Sequence, residues 1–166
     1  MRVLYFDTFQ PYMLSHSLIL DEIANCADEI IIGILGVHES HTITEPFRAG
    51  GKMLMISNDL QNFSIPVYIV PIGNIGRNLP AVSHIISLVP VFSAVYTQNK
   101  ILHRLFIEAG ITAFHPPETD VSISAKDWIL SVLNGGKWGQ YVPESTKSVI
   151  CDISGDARIQ KMSETD

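Results

Sequence analysis

The chain is poor in cysteine, in basic side chains and in long apolar runs. Two cysteines among 166 residues are too few for the disulfide framework of a small secreted domain. Eleven basic residues against seventeen acidic ones give a net charge of −6, which argues against a protein that coats nucleic acid. Apolar stretches such as 30–35 and 85–92 are far shorter than the roughly 20 residues of a membrane-spanning helix. The first residues have the pattern of a strand and not of an export signal. Together these features predict a cytoplasmic protein with neither a nucleic-acid nor a membrane partner.

What the chain does have is a regular alternation of apolar runs and helix-like stretches, with 46% hydrophobic residues overall. The runs typical of strands are 2–6, 29–35, 66–71, 91–96 and 111–114. The stretches typical of helices are 15–25, 46–60, 81–88, 100–109, 124–133 and 143–162. Strands that alternate with helices predict a doubly wound, mainly parallel α/β sheet. We therefore expect a single domain over 1–166 with a C-terminal helical segment over 143–162.

Two of these helices have recognisable starts. Pro46 is suited to the first position of a helix, whose predicted buried stripe consists of Met53, Leu54, Ile56 and Leu60. Ser124 precedes Asp127 by three residues, which is a capping-box spacing with a short acid at the third position. Both patterns place polar loop residues immediately before a helix N-terminus.

Ligands of doubly wound sheets bind beyond the carboxyl ends of the strands, which directs attention to segments 7–16, 36–47, 96–100 and 122–127. His16 lies near the start of the first helix, where the N–H groups and the helix dipole attract a phosphate. A histidine at that position can hydrogen-bond to the phosphate. The alternative is a side chain that only satisfies the helix start.

The remaining histidines carry weaker signals. His38 and His41 have a spacing that invites a metal interpretation, but no third ligand lies nearby, and a solvated or substrate-facing loop is favoured. Structural roles are expected for His84, His103 and His115. The fingerprints of P-loops, of dinucleotide-binding turns and of the hydrolase nucleophile elbow do not occur.

Several separated segments resemble one known family. The segment 7–16, D-T-F-Q-P-Y-M-L-S-H, resembles the G-R-F-Q-P-F-H-x-G-H of the nucleotidylyltransferase superfamily. Segments 29–42 and 46–50 look like the archaeal type of nicotinamide-mononucleotide (NMN) adenylyltransferase. Further matches are Tyr96-Thr-Gln-Asn99 for Y-S-G-N, Ile123-Ser-Ala125 for the start of I-S-G-T-x-x-R, and Trp138 with Val142-Pro143 for W-x-x-x-V-P. The resemblance spans nearly the whole chain and implies a Rossmann-like nucleotidylyltransferase fold.

The resemblance implies an enzyme that transfers AMP from ATP to NMN, giving NAD and pyrophosphate, usually with Mg²⁺. It makes His16 the catalytic contact to the α- or β-phosphate. The residues expected at ATP and its phosphates are Phe9, Gln10, Ser124, Lys126 and Asn99, and those expected at the acceptor are Ser40, His41 and Asn78. No protein-bound metal site is expected. The family also implies a homo-oligomer.

The chain departs from the family pattern at several positions. In the first motif, Thr8 replaces the family's arginine, Met13 its first histidine and Ser15 its glycine. In the I-S-G-T-x-x-R motif, Lys126 replaces the threonine and Ile129 the arginine. Ala81 stands where the family has a tryptophan that stacks on nicotinamide. Lys126, with Lys52 or Arg48, is a candidate to supply positive charge in compensation. Two alternatives stay open, namely a catalytically inactive nucleotide-binding relative with a regulatory role, and an adenylyl- or cytidylyltransferase that uses another phosphorylated acceptor.

Overall fold

A computed structural model describes residues 1–38, 40–73 and 80–165. The chain divides into two compact units. The first comprises residues 1–8, 19–37 and 63–117, and the second comprises 9–18, 38–62 and the residues from 118 onwards. In the described part of the chain, no helix is both long enough and apolar enough to cross a bilayer.

The first unit contains a five-stranded parallel sheet. Its strands are β1 (Arg2–Asp7), β2 (Glu29–Ile34), β3 (Val67–Pro71), β4 (Ala94–Tyr96) and β5 (Thr112–Phe114). The spatial order is β3-β2-β1-β4-β5, so the chain first builds outward from β1 on one side and then returns to its other side. All four strand pairings are parallel. The doubly wound parallel α/β sheet predicted from the sequence is therefore confirmed.

The helices that accompany this sheet are α1 (Leu14–Ala24), which begins in the second unit, α3 (Ala81–Leu88) and α4 (Lys100–Glu108). Strands β1 and β2 are buried at their interior positions, as expected of apolar central strands covered on both faces. Phe6 on β1 and Phe106 on α4 lie with their ring centroids 5.9 Å apart in the main core. The core cluster that joins sheet and helices consists of Leu4, Phe6, Ile31, Ile72, Ile85, Val95, Leu102 and Phe106.

The second unit is helical. Its elements are α2 (Ala49–Asp59), α5 (Ala125–Leu133), a 3₁₀ helix (Trp138–Tyr141), α6 (Glu144–Asp152) and α7 (Gly155–Thr165). Helix α2 packs against α6, and α7 packs against α5 and α6. A Cβ on Gly155 would lie 3.2 Å from both Phe47 and Ile150, so α7 starts with a residue that lets these side chains approach closely. The predicted C-terminal segment is thus two helices, separated by Ser154 at a φ of +51°.

The helix expected from Pro46 begins three residues later, at Ala49. Tertiary hydrogen bonds use the backbone just before the helix. Pro46 O accepts from Arg158, and the N–H and C=O of Phe47 both bond to the side chain of Gln10. The predicted buried stripe is also partly wrong. Leu54 is 55% exposed, whereas Lys52 is fully buried.

Candidate active site

The sheet reverses its strand order at β1, between β2 and β4, and such a reversal marks the ligand-binding edge of a doubly wound sheet. Strand β1 ends there at Asp7 and β4 ends at Tyr96. The Asp7 carboxylate accepts a 2.6 Å hydrogen bond from the Thr8 backbone N–H. The backbone N–H of Thr8, which replaces the family's arginine, is thus bound by the preceding carboxylate at the end of β1.

At the end of β4, Tyr96 is followed by the segment that carries Asn99. The Asn99 side-chain oxygen accepts hydrogen bonds of 3.0 Å from the N–H groups of Ile101 and Leu102 and so caps α4. Partial burial, together with a contact to the Cys26 thiol, raises the pKa of the Tyr96 hydroxyl to about 12. Both side chains are therefore held by structural contacts within the first unit, and the nucleotide contact expected of Asn99 stays a prediction.

The segment that follows β1 in sequence belongs to the second unit and starts with Phe9 at a φ of +51°, a rare conformation for a bulky residue. The next residue, Gln10, is buried and forms two hydrogen bonds with the backbone of Phe47. Gln10 Nε2 donates to Phe47 O at 3.1 Å, and Phe47 N–H donates to Gln10 Oε1 at 3.0 Å. The Gln10 amide therefore joins this segment to the residues before α2, while its predicted role at ATP stays a prediction.

His16 is the third residue of α1 and is half-buried. Its Nδ1 accepts a 2.8 Å hydrogen bond from the backbone N–H of Met13, the residue before the helix. In the neutral ring the proton then resides on Nε2, which makes Nε2 the hydrogen-bond donor. The ring of Phe9 meets the imidazole edge-on at 4.9 Å, and the ring of Tyr12 stacks on it at 5.8 Å. His16 thus satisfies the helix start, and its Nε2 is left as the donor of the neutral ring. The phosphate contact expected of His16 stays a prediction.

Helix α5 brings a second pair of predicted site residues to a helix N-terminus in this unit. Ser124 caps the helix by accepting from Asp127 N–H at 3.0 Å, and its hydroxyl donates to the Asp127 carboxylate at 2.8 Å. The predicted helix start with Ser124 as its N-cap is therefore confirmed, and the Asp127 carboxylate reaches back to the Ser124 hydroxyl. Lys126 is exposed in the first turn, whereas Ile129 is buried, at 6% exposed, and packs on the interior side of the helix. The position of the family's second arginine is thus part of the apolar core.

The predicted acceptor residues Ser40 and His41 are neighbours in the segment between β2 and α2, where Ser40 is half-buried and His41 is exposed. Ser40 Oγ is 2.8 Å from His41 Nδ1, and His41 has a φ of +63°. Asn78, the third predicted acceptor residue, lies outside the described residues, as does Glu39. Among the side chains that the structure describes, no group of three or more histidines, cysteines and acids is arranged to hold a metal ion.

Three further side chains named from the sequence have clear environments. Lys52 is fully buried on α2, so it is not among the surface cations able to meet a nucleotide phosphate, whereas Arg48 is exposed just before that helix. His84 Nε2 donates to the Gly73 carbonyl at 2.5 Å, a contact that agrees with its predicted structural role.

Sequence reasoning missed Asp59, the last residue of α2. The hydroxyls of Tyr12 and Ser17 both donate to its Oδ2, each at 2.8 Å. The two donors stand on either side of His16 in sequence, but Asp59 lies more than 40 positions away, and no local pattern connects it to them.

The comparisons with known proteins agree with the motif resemblance. No family model matches the chain. Curated proteins named nicotinamide-nucleotide adenylyltransferase do match, including one from Methanocorpusculum labreanum at 39% identity that covers 99% of both chains. Another, from Methanothrix thermoacetophila, is 38% identical and covers 99% of this chain and 98% of its own.

A solved structure shares the fold. It is a bifunctional NMN adenylyltransferase/ADP ribose pyrophosphatase from Francisella tularensis, complexed with AMP and a manganese ion, with a TM-score of 0.76 and 16% sequence identity. The match covers 99% of this chain and 53% of that one, so this chain spans about half of the bifunctional protein. The nucleotidylyltransferase fold is confirmed by this likeness. On the strength of the full-length identities, the chain belongs to the nicotinamide-nucleotide adenylyltransferase family.

Proposed function

We propose that this protein transfers AMP from ATP to nicotinamide mononucleotide, giving NAD and pyrophosphate. Full-length identity to archaeal proteins of that name supports the reaction. The structural observation that carries the proposal is His16, an imidazole oriented by Met13, Phe9 and Tyr12 at the start of the helix that follows β1. In a doubly wound sheet that helix start is a preferred site for a phosphate.

In the proposed reaction an oxygen of the NMN phosphate attacks the α-phosphorus of ATP. A new P–O bond to the acceptor forms while the bond between the α-phosphorus and the β-phosphate oxygen breaks, so pyrophosphate leaves with the electron pair. No covalent intermediate with the protein is needed, and catalysis consists of alignment and charge stabilisation. His16 Nε2–H donates to an α- or β-phosphate oxygen and stabilises the negative charge that develops there.

The other predicted residues have proposed roles on either side of the reacting phosphates. Ser124 and Lys126 bring an oriented helix N-terminus and a mobile positive charge to the ATP phosphates. The backbone of Phe9 shapes the part of the site that receives ATP. Gln10 does so through its amide, which is hydrogen-bonded to the Phe47 backbone. Asn99 contacts the nucleotide, and the proposed acceptor contacts are Ser40, His41 and Asn78.

The cation enters with the nucleotide. ATP is proposed to bind as its Mg²⁺ complex, because Mg²⁺ in nucleotide sites is usually held by the substrate phosphates together with one or two carboxylates. The Francisella protein, complexed with AMP and manganese, supports a nucleotide and a divalent cation as partners in this fold. A single functional domain over 1–166, a homo-oligomer and a cytoplasmic place of action are further proposals.

A catalytically inactive, nucleotide-binding relative is the second candidate. The observation that favours it is the burial of Met13 and Ile129, which are 3% and 6% exposed at the positions of a family histidine and arginine. Neither apolar side chain donates a hydrogen bond to a phosphate. A third candidate uses another phosphorylated acceptor, since Ala81 lacks the ring of the family's stacking tryptophan.

Incubation of the purified protein with ATP, Mg²⁺ and NMN tests the proposal. Equal amounts of NAD and pyrophosphate, absent when NMN is omitted, are the expected result. Nucleotide binding measured by calorimetry without any turnover would support the inactive relative. Pyrophosphate release with a different phosphorylated acceptor, and none with NMN, would support the third candidate.

A further inference from the structure

A single carboxylate, Asp59, gathers two hydroxyls around the His16 region. Tyr12 Oη and Ser17 Oγ each lie 2.8 Å from the same oxygen, Oδ2. An ionised carboxylate only accepts hydrogen bonds, so both hydroxyls donate to it. Hydrogen bonds to a charged acceptor are stronger than neutral ones, and the half-buried setting adds to their strength. Asp59 therefore restrains the side chains of Tyr12 and Ser17.

One of those two side chains borders the imidazole, and the other belongs to the next residue of α1. The phenol ring of Tyr12 stacks on His16 with an interplanar angle of 20° and a centroid distance of 5.8 Å. Ser17 is the next residue of α1, and its N–H donates to Met13 O, the same residue whose N–H donates to His16 Nδ1. A carboxylate that holds both hydroxyls thus acts on the stacked phenol directly, and through Ser17 it holds the first turn of α1 that carries His16.

The backbone of the same segment is held separately. Thr146 Oγ1 on α6 donates to Tyr12 O at 2.7 Å, and the Gln10 amide binds the Phe47 backbone. These contacts do not involve the Tyr12 hydroxyl. Loss of the Asp59 carboxylate would therefore remove the anchor of the buried phenol hydroxyl, and the ring could tilt while the main chain keeps its position. The orientation of the ring is thereby separated from the folding of the loop.

We propose that Asp59 is a positioning residue for His16, acting through the Tyr12 ring and Ser17. The inference rests on the proposed function, in which His16 Nε2–H meets a phosphate of ATP. A donor displaced by about 1 Å from its productive position costs about 10² in rate. Because binding of the nucleotide depends on many other contacts, the loss falls on kcat more than on KM.

The test compares Asp59→Ala with Asp59→Asn, with Tyr12→Phe and with the double variant Asp59→Ala/Tyr12→Phe. Asp59→Ala is expected to lower kcat by about 10- to 100-fold with little change in KM for ATP. Asp59→Asn retains an acceptor oxygen for the hydroxyls and should recover most of that loss. Asp152→Asn, at the exposed end of α6, is the matched charge control and should behave as the parent.

If Asp59 acts through the phenol, Tyr12→Phe shows a comparable loss and the double variant is no worse than Asp59→Ala alone. Independent, multiplicative losses would overturn the route through Tyr12. A KM for ATP that rises as much as kcat falls would overturn a positioning role. If Asp59→Ala does not fold, Tyr12→Phe and Ser17→Ala decide the question with the same measurements.

A second readout does not depend on turnover. The ring protons of His16, followed by NMR, carry a ring-current shift from the stacked Tyr12, which should change in Asp59→Ala and persist in Asp59→Asn and Asp152→Asn. Unchanged His16 shifts in Asp59→Ala would overturn the inference. A parent protein that makes no NAD but shows the expected shifts would contradict the proposed function and leave the positioning of the imidazole supported.

Discussion

Replacement of His16 tests the candidate site because the side chain has two separable tasks. Its Nδ1 accepts the N–H of Met13, which no intrahelical partner satisfies at the start of α1. Its Nε2–H is the proposed donor to a phosphate. His16→Ala removes both contacts. His16→Gln keeps an acceptor at the third helical position, where a glutamine side chain can reach back to the N–H before the helix.

The two tasks predict effects of different size. Loss of a capping interaction costs about 1 kcal/mol, with a range of about 0.5 to 2. For a chain of this length that corresponds to a fall of about 2 to 4 °C in melting temperature. Loss of one oriented donor to the transition state costs about 10² to 10³ in kcat, or about 3 to 4 kcal/mol.

Steady-state kinetics with ATP and NMN, together with calorimetric melting, separate the two contributions. His16→Ala should show both losses. His16→Gln should melt close to the parent but remain slow, because a carboxamide is not held between Phe9 and Tyr12 as the imidazole is. A His16→Ala protein with the parent's kcat would remove the imidazole from the reaction. An unchanged melting temperature would refute the capping role of Nδ1.

Three further predictions concern other contacts. Gln10→Ala leaves both backbone groups of Phe47 without their partner and should lower the free energy of unfolding by about 2 to 5 kcal/mol, measured by denaturant titration. Lys126→Ala should weaken ATP binding several-fold in calorimetry, more at low salt than at high salt, because an exposed lysine acts through a screened charge. The hydrogen bond from Arg2 lowers the pKa of Glu29 below its usual 4.5, so the contribution of this pair to stability is present above about pH 4.5 and is lost as the pH falls further.

Each of these predictions has a control. Gln140→Ala changes an exposed glutamine of the same unit and should leave the free energy of unfolding nearly unchanged. Lys147→Ala removes a comparable exposed lysine on α6, and an equal loss of ATP affinity in both lysine variants would reduce Lys126 to a general contributor of charge. For Glu29, the unfolding free energies of the parent and Glu29→Gln should converge in acid. A constant difference across the pH range would contradict the assigned cause of the pKa shift.

Much of the fold could be predicted because its determinants are local. The alternation of apolar runs with helical spacing is a property of neighbouring residues, and it placed all five strands within a few positions of their observed bounds. The cap at Ser124 was predictable for the same reason, since its partner Asp127 stands three residues away. The start of α2 was not predictable, because contacts with Arg158 and Gln10 use the backbone of Pro46 and Phe47.

The order of elements, the parallel sheet and the family were determined by the sequence itself, because periodicity and short motifs are written in consecutive residues. Only the tertiary structure decided that Lys52 is buried, that the amide of Gln10 binds a backbone 37 positions away, and that Asp59 receives the hydroxyls beside His16. Each of these depends on how distant segments pack against one another. Helical or strand spacing states which face of an element is apolar, but it does not state which residue of another segment that face will meet.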